Sequence, residues 1–336
     1  YTYVNGELTS PLTLLDGIEG DGIHNGSRLV IDADQKLYMT TGDADNTSHA
    51  QDINSLNGKV LRINLDGSIP EDNPFSGSYV WTWGHRNAQG LVISPLGLMY
   101  SSEHGPANDD EVNIIEKGRN YGWPEVMGFC DEPAEIQYCA DSNIMEPIFA
   151  WTPTLAVAGT DFYEHAAIPE WQNSLLVTTL KDRTLGALKL SADGRSVIKE
   201  ELFFDYWWGR LRDICISPDG RVFLAVSNRD GRGTAQAGDD RIVELRSNAA
   251  LGIHSSDRLE FSVYPNPVAG NELNIEYDLA LEGILLIYSQ DGRVLSRHLL
   301  SPGNRHFRIQ LPGTSGLYNL VISNKEGMSH KTVLKL

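Results

Sequence analysis

One imidazole, a set of cations and a turn with unpaired carbonyls hold most of the chemistry that this sequence could perform. His24 opens His24-Asn25-Gly26. Arg86 and Asn87 lie within Gly84-His85-Arg86-Asn87-Ala88-Gln89-Gly90. Lys181 follows Thr179-Leu180, and Arg210 and Arg212 share Gly209-Arg210-Leu211-Arg212-Asp213. Of these, His24 can act as a general base near neutral pH. Guanidinium and ammonium groups gathered together suit a ligand with several carboxylates or phosphates. No Gly-rich phosphate loop precedes a helix, which argues against a nucleotide. In Glu103-His104-Gly105-Pro106 a turn can offer the Gly105 and Pro106 carbonyls to a hard cation such as calcium, with Asp109-Asp110-Glu111 close behind to add oxygens. Asn120-Tyr121-Gly122-Trp123-Pro124 closes the stretch with an aromatic corner. Strands this rich in polar groups cannot simply be core, because buried polar groups must find partners. The residues alone suggest a polyanionic cofactor, a calcium ion and a base, and name no reaction.

A repeat of about sixty residues must position them. Leu29-Val30-Ile31-Asp32-Ala33-Asp34-Gln35-Lys36-Leu37-Tyr38 is echoed by Leu91 to Tyr100 and again by Ile214 to Phe223. Each copy is an apolar strand, a Pro/Asp/Gly turn and a second strand that opens on an apolar-aromatic pair, the pattern of a hairpin. A degenerate copy spans Thr160 to Thr179. Long helical periodicity is absent. Repeating antiparallel units of this length imply an all-β chain, with propeller blades over residues 1–246. About four blades fit that length, and the strand-like opening at Tyr1 implies that earlier blades precede it. Counted back from each inner strand, His24, Arg86, Arg210 and Arg212 occupy related positions, so a propeller would bring them to one mouth of its channel. An Arg just before a strand more often pairs with a local acid, but three in repeat register beside a His point to a site.

Composition narrows the partners. Net charge is −18, and Leu251 to Leu336 contains eight basic and eight acidic residues, so all of the excess lies in the first 250 residues. An acidic body argues against nucleic acid and anionic membrane as partners. No run approaches the ~20 apolar residues of a membrane-spanning helix. Three cysteines carry no thiolate-type metal spacing. Cys215 falls in the apolar register of a strand. Cys130 and Cys139 flank a short polar, Pro-containing loop; they would pair in an exported protein, the alternative being three reduced, buried thiols.

The run from His24 to about Leu245 resembles the soluble quinoprotein glucose/sorbosone (aldose sugar) dehydrogenases, which carry pyrroloquinoline quinone (PQQ) on a six-bladed propeller. The matching pieces are His24 to Leu29, Gly58 to Arg62, Asp66 to Pro70, Asp72-Asn73-Pro74, Gly84 to Gly90, Glu103 to Asn113, Asn120 to Pro124, Lys181, and Gly209 to Asp213. The resemblance implies an aldose substrate, an external electron acceptor, PQQ and calcium. It implies that His24 takes the proton from the anomeric hydroxyl and that Arg86, Asn87, Lys181, Arg210 and Arg212 contact the cofactor. The Gly105 and Pro106 carbonyls would hold the calcium at the quinone, and Glu111 and Tyr121 would belong to a second, structural calcium site. Ile23 stands where glucose-oxidising relatives carry an acid. The family places about two blades, with a substrate-facing glutamine, ahead of the His24 position. Residues 1–336 alone are therefore expected not to close the ring and to be inactive. The other function class compatible with the chain is an exported propeller that binds a glycan or protein without turnover.

The tail is organised differently. Ser247 to Asp257 lacks a strand pattern and reads as a linker. From 258 to 336 about seven short alternating strands imply a small β-sandwich. Val263-Tyr264-Pro265-Asn266-Pro267, Gly292-Arg293-Val294, Gly316-Leu317-Tyr318 and the closing Lys331-Thr332-Val333-Leu334-Lys335-Leu336 resemble the type A sorting domain of the type IX (Por) secretion system of Bacteroidetes. That resemblance implies passage through the type IX machinery, then release or attachment at the cell surface.

Overall fold

The computed structural model describes residues 1–246, 259–279, 282–289, 294–303, 305–311, 314–324 and 328–336. The chain divides into two compact units, Tyr1–Arg246 and Ser247–Leu336. The segment read as a linker, 247–257, lies outside the described residues.

In the first unit a small hairpin, β1 (Thr2–Val4) and β2 (Glu7–Thr9), precedes four antiparallel sheets, each a meander of consecutive strands. The first holds β3 (Leu29–Ile31), β4 (Lys36–Thr41), β5 (Lys59–Asn64) and β6 (Val80–Trp83). The second holds β7 (Ala88–Ile93), β8 (Met99–Glu103), β9 (Asp110–Ile114) and β10 (Phe149–Trp151). The third holds β11 (Val157–Tyr163), β12 (Ser174–Thr179), β13 (Leu185–Leu190) and β14 (Val197–Phe203). The fourth has β15 (Leu211–Ile216), β16 (Val222–Val226) and β17 (Ile242–Leu245).

The repeat in the sequence is the hairpin that opens each sheet. Val30 pairs with Tyr38, Val92 with Tyr100, Cys215 with Phe223, and in the degenerate copy Thr160 with Val177. The opening strands β7, β11 and β15 lie side by side, and β3 meets β7. Apolar residues then pack sheet on sheet. Tyr38 and Val60 meet Leu91 and Met99; Tyr100 and Ile114 meet Val157 and Leu188; Leu176 and Leu185 meet Leu211 and Leu224. This is the packing of propeller blades. The loops entering the opening strands collect at one end.

Two readings of the sequence are corrected. The stretch between Cys130 and Cys139 is not all loop: Pro133–Asp141 forms a helix, α1, with Pro at its start and the Glu132 carbonyl accepting from Ile136 N at 2.9 Å. The two cysteines are joined as a disulfide. Cys215 is exposed, not buried. It alternates with buried Ile214, so a one-residue step in β15 turns it to the opposite face.

The second unit has a three-stranded sheet of β18 (Phe261–Tyr264), β19 (Glu272–Tyr277) and β22 (His306–Gln310). Its four-stranded sheet holds β20 (Gly283–Ser289), β21 (Val294–Leu300), β23 (Gly316–Ser323) and β24 (Met328–Lys335). Leu273, Ile275 and Ile309 from one sheet pack with Leu285, Ile287, Leu320, Ile322 and Val333 from the other. The result is the β-sandwich expected from the alternation.

Candidate functional site

His24 sits in the loop ahead of β3 and Asp43 just beyond β4, and the two strands pair as neighbours. Gly42 permits the approach: a Cβ there would lie 1.8 Å from the His24 carbonyl oxygen. The Nδ1 of His24 donates to Asp43 Oδ1 at 2.9 Å. Asp43 is buried and accepts from Trp123 Nε1 through its other oxygen at 2.9 Å. A carboxylate only accepts, so Nδ1 carries a proton, and in the neutral ring it is Nε2 that has the lone pair. Arg86 N–H and Asn87 N–H (3.1 Å) both donate to Glu103 Oε1, while Glu103 Oε2 accepts from the wholly buried His85 at 2.9 Å. This buried pair sets the course of the chain into β7, and the Arg86 guanidinium packs over Trp123 at 5.2 Å.

The opposite wall comes from the third and fourth sheets. Arg210 immediately precedes β15, and Arg212 lies inside it. Asp230 holds both, accepting from Arg210 Nε at 2.9 Å and Arg212 Nη2 at 3.3 Å. Gln89 accepts from Arg212 Nη1 at 3.2 Å, and Lys181 Nζ donates to Thr154 Oγ1 at 3.2 Å. His24, Arg86, Asn87, Gly105, Pro106, Lys181, Arg210 and Arg212 all line one cleft of about 580 Å³, joined by Arg232. The sequence had marked each of them except Arg232. A volume of this order suits a small ligand.

The cleft is poised for negative charge. Burial lowers the pKa of Arg86, and that of Arg212 too, where repulsion from Arg210 adds to the effect. Burial pushes His104 down to about 4, helped by the positive charges of Arg86 and Arg212. Arg86 Nε and His104 Nε2 are buried without a hydrogen-bond partner. Groups left in that state cost free energy unless a ligand satisfies them.

The Gly105-Pro106 turn is fixed by Asp110, which accepts from Gly105 N at 2.9 Å. The Gly105 carbonyl accepts from Arg86 Nη1 at 3.0 Å, and a second lone pair remains for a cation. Glu111 and Tyr121 line a smaller space beneath that turn, with Glu103 and Asp109. Glu111 accepts from Gly128 N at 2.7 Å and from Asn113 Nδ2 at 2.9 Å. Burial, with Glu103 nearby, pushes its carboxyl well above the usual range. The Tyr121 hydroxyl donates to Ile114 O at 2.5 Å and accepts from Glu116 N at 2.9 Å. Both side chains are thus engaged in local bonds, and in the absence of a cation the Glu111 carboxyl favours its protonated form. Among the described residues, no three or more His, Cys, Asp or Glu side chains form a metal-binding group.

Sequence reasoning missed Asp43, Asp230 and Glu103. Nothing in an acid-rich chain singles out these acids, although Glu103 stood inside a marked stretch.

Residues 5–235 match the family model described as Glucose / Sorbosone dehydrogenase, and residues 262–335 match the one described as Secretion system C-terminal sorting domain. Aldose sugar dehydrogenase YliI of Escherichia coli is 34% identical over 222 residues, covering 62% of this chain and 59% of that protein. Quinoprotein glucose dehydrogenase B of Acinetobacter calcoaceticus is 32% identical over 326 residues, 74% of this chain and 68% of that one. The solved PQQ-bound form of aldose sugar dehydrogenase from Streptomyces coelicolor superposes with a TM-score of 0.63 at 35% identity, over 72% of this chain and 67% of that one.

Proposed function

The chain belongs to the glucose/sorbosone dehydrogenase family, and on that premise we propose that the full-length protein oxidises aldose sugars at the anomeric carbon using PQQ and calcium. The observation that carries this reading is the His24–Asp43 pair in the wall of a cleft whose facing side chains are cationic. PQQ, when bound, supplies the one ability that no side chain has, acceptance of a hydride. Arg86, Lys181, Arg210 and Arg212 would pair with its carboxylates and Asn87 would add an amide contact. The orphaned Arg86 Nε and His104 Nε2 support a polar ligand at this place. The carbonyls of Gly105 and Pro106 would hold calcium as a Lewis acid. Glu111 and Tyr121, which share a small space with Glu103 and Asp109, would belong to a second, structural calcium site, and no step of this reading runs through it.

His24 Nε2 takes the proton from the anomeric hydroxyl. Asp43 keeps the ring in the tautomer that exposes Nε2 and stabilises the imidazolium that follows. Arg86, Arg210 and Arg212 supply a positive field, fixed in advance by Glu103 and Asp230, where negative charge develops. Electrons then leave to an external acceptor. The sorting domain supports export through the type IX machinery, with release or surface attachment afterwards.

The test uses the full-length protein reconstituted with PQQ and calcium and assayed with aldoses and an artificial dye. His24→Gln should lower turnover by at least ~100-fold and leave cofactor binding largely intact, the scale of a lost general base. Turnover like that of the wild type in this variant would remove His24 from the mechanism.

A further inference from the structure

We propose that the loop from Phe204 to Trp208 is an aromatic ledge beside the cleft, which stacks a glycosyl ring of an oligosaccharide whose reducing end enters the cleft. This rests on the sugar-oxidising reading above and adds the size of the substrate to it.

The ledge is built from both sides. Its inner rings, Phe204 and Trp208, pack onto the core between the third and fourth sheets. Its outer rings do not: Tyr206 is 57% and Trp207 59% exposed. Trp207 stands against these anchors, 5.4 Å from Phe204 and 5.7 Å from Trp208 between ring centroids. Asn228 clasps the exit of the loop, donating to Trp208 O at 2.8 Å and accepting from Arg210 N at 2.8 Å. Gly209 is required there, since a Cβ would lie 2.1 Å from Asn228 Oδ1. Phe204 and Tyr206 both have positive φ, 64° and 59°, a region that bulky L residues rarely adopt. A plain connection would use Gly or Asn at such positions, so aromatic rings are retained here at a backbone cost.

Along the chain the ledge adjoins two residues that line the cleft. Trp207 lies three residues before Arg210, and the Arg183 guanidinium covers the Tyr206 ring at 4.8 Å, two residues after Lys181. Arg210 and Lys181 both line the cleft. Two exposed rings give too little apolar area for a protein partner. They match the C–H face of one pyranose, and Arg183 can donate to its equatorial hydroxyls.

Three measurements test this. Cellotetraose and maltotetraose, with glucose as control, are titrated into the chain while tryptophan emission is followed. One tetraose should change the emission where glucose does not. Trp207→Ala should abolish the response and Trp207→Phe should keep part of it, with far-UV circular dichroism unchanged in both. In the full-length, reconstituted protein, Trp207→Ala should reduce kcat/KM for that tetraose about tenfold, a ring-stacking contribution, and leave glucose within about twofold. No tetraose response, or equal binding by Trp207→Ala, overturns the ledge. So does protection of Trp207 from acrylamide quenching in the full-length protein, which would mean another part of the molecule covers it. Tetraose binding through Trp207 without oxidation of any sugar would instead retire the enzymatic reading and leave the ledge standing.

Discussion

The two units bury different things. In the first, Asp43, Lys59, Arg62, His85, Glu103, Asp110 and Arg210 are all buried, many at the end where the cleft opens. In the second, among the described residues, the buried set is almost wholly apolar, with Lys335 the exception. Both are antiparallel sheets packed face to face, so topology does not account for the contrast. A core of Leu and Ile is bound by volume alone. A core of charges, most of them ion-paired and Lys59 and Asp110 held by backbone groups, needs each partner in place, because a buried charge that loses its partner is far costlier than one never buried. The sandwich is built to stay folded, and the propeller end is built to hold charge in position.

The largest test of that contrast falls on the sandwich. Leu285 is wholly buried between its two sheets, and Leu285→Ala should destabilise that unit by about 2–5 kcal/mol. Calorimetry should show one transition moving and the propeller's staying where it was. A shift of both would mean that the units unfold together.

Next in size is Asp43→Asn. The shape is kept, but the amide no longer fixes the His24 ring in one tautomer or stabilises its cation. Turnover should fall about 100-fold, close to 2.7 kcal/mol, with thermal stability nearly unchanged. A large loss of stability with normal turnover would show that Asp43 serves packing and not the base.

The smallest effect concerns pH without calcium. Burial and Glu103 raise Glu111 above its unfolded value, so the folded state holds a proton that the unfolded state has released. Its contribution to stability is full below the ordinary carboxylate range and is lost as pH rises through its folded value. His104 works in the opposite sense. Lowered from 6.5 to about 4, it contributes stability that is full above 6.5 and lost as pH falls to 4. The two oppose each other in mildly acidic solution. Above about 7 a third group enters, because burial lowers Lys59 from 10.5 to about 7 and its contribution grows as pH rises. Glu111→Gln should therefore remove a loss of propeller stability that accumulates from the carboxylate range up to neutral pH, and leave the sandwich's profile unchanged. A propeller profile unaltered by the substitution would place its pH dependence elsewhere.

The hairpins and the cationic cluster were legible because each leaves a periodic trace. An apolar-turn-aromatic unit recurs with a nearly constant spacing, and the cations fall at related positions within it. Arg212, placed ahead of its strand by that register, lies inside β15, since strand starts are not fixed by the apolar pattern alone. The partners that make the cluster work left no trace. Asp43 and Asp230 are set by tertiary contact, Asp230 lying 20 residues beyond Arg210. Helix α1 escaped notice because it is short and its N-cap is Glu132 in place of Ser, Thr, Asp or Asn, although Pro133 and the Glu132–Glu135 capping box do mark its start. Its polar composition reads equally well as loop.

That helix ties the disulfide to His24. Tyr138 on α1 donates to Gln51 at 3.2 Å, Gln51 holds the Trp123 carbonyl at 2.7 Å, and Trp123 holds Asp43. The linkage has a practical bearing on how the protein is made. Produced in a reducing cytosol, the chain lacks the Cys130–Cys139 clasp, and the loosened helix reaches His24 through three side chains. Activity per milligram would then depend on the strain and compartment chosen for expression, and a weak preparation could be mistaken for a weak enzyme.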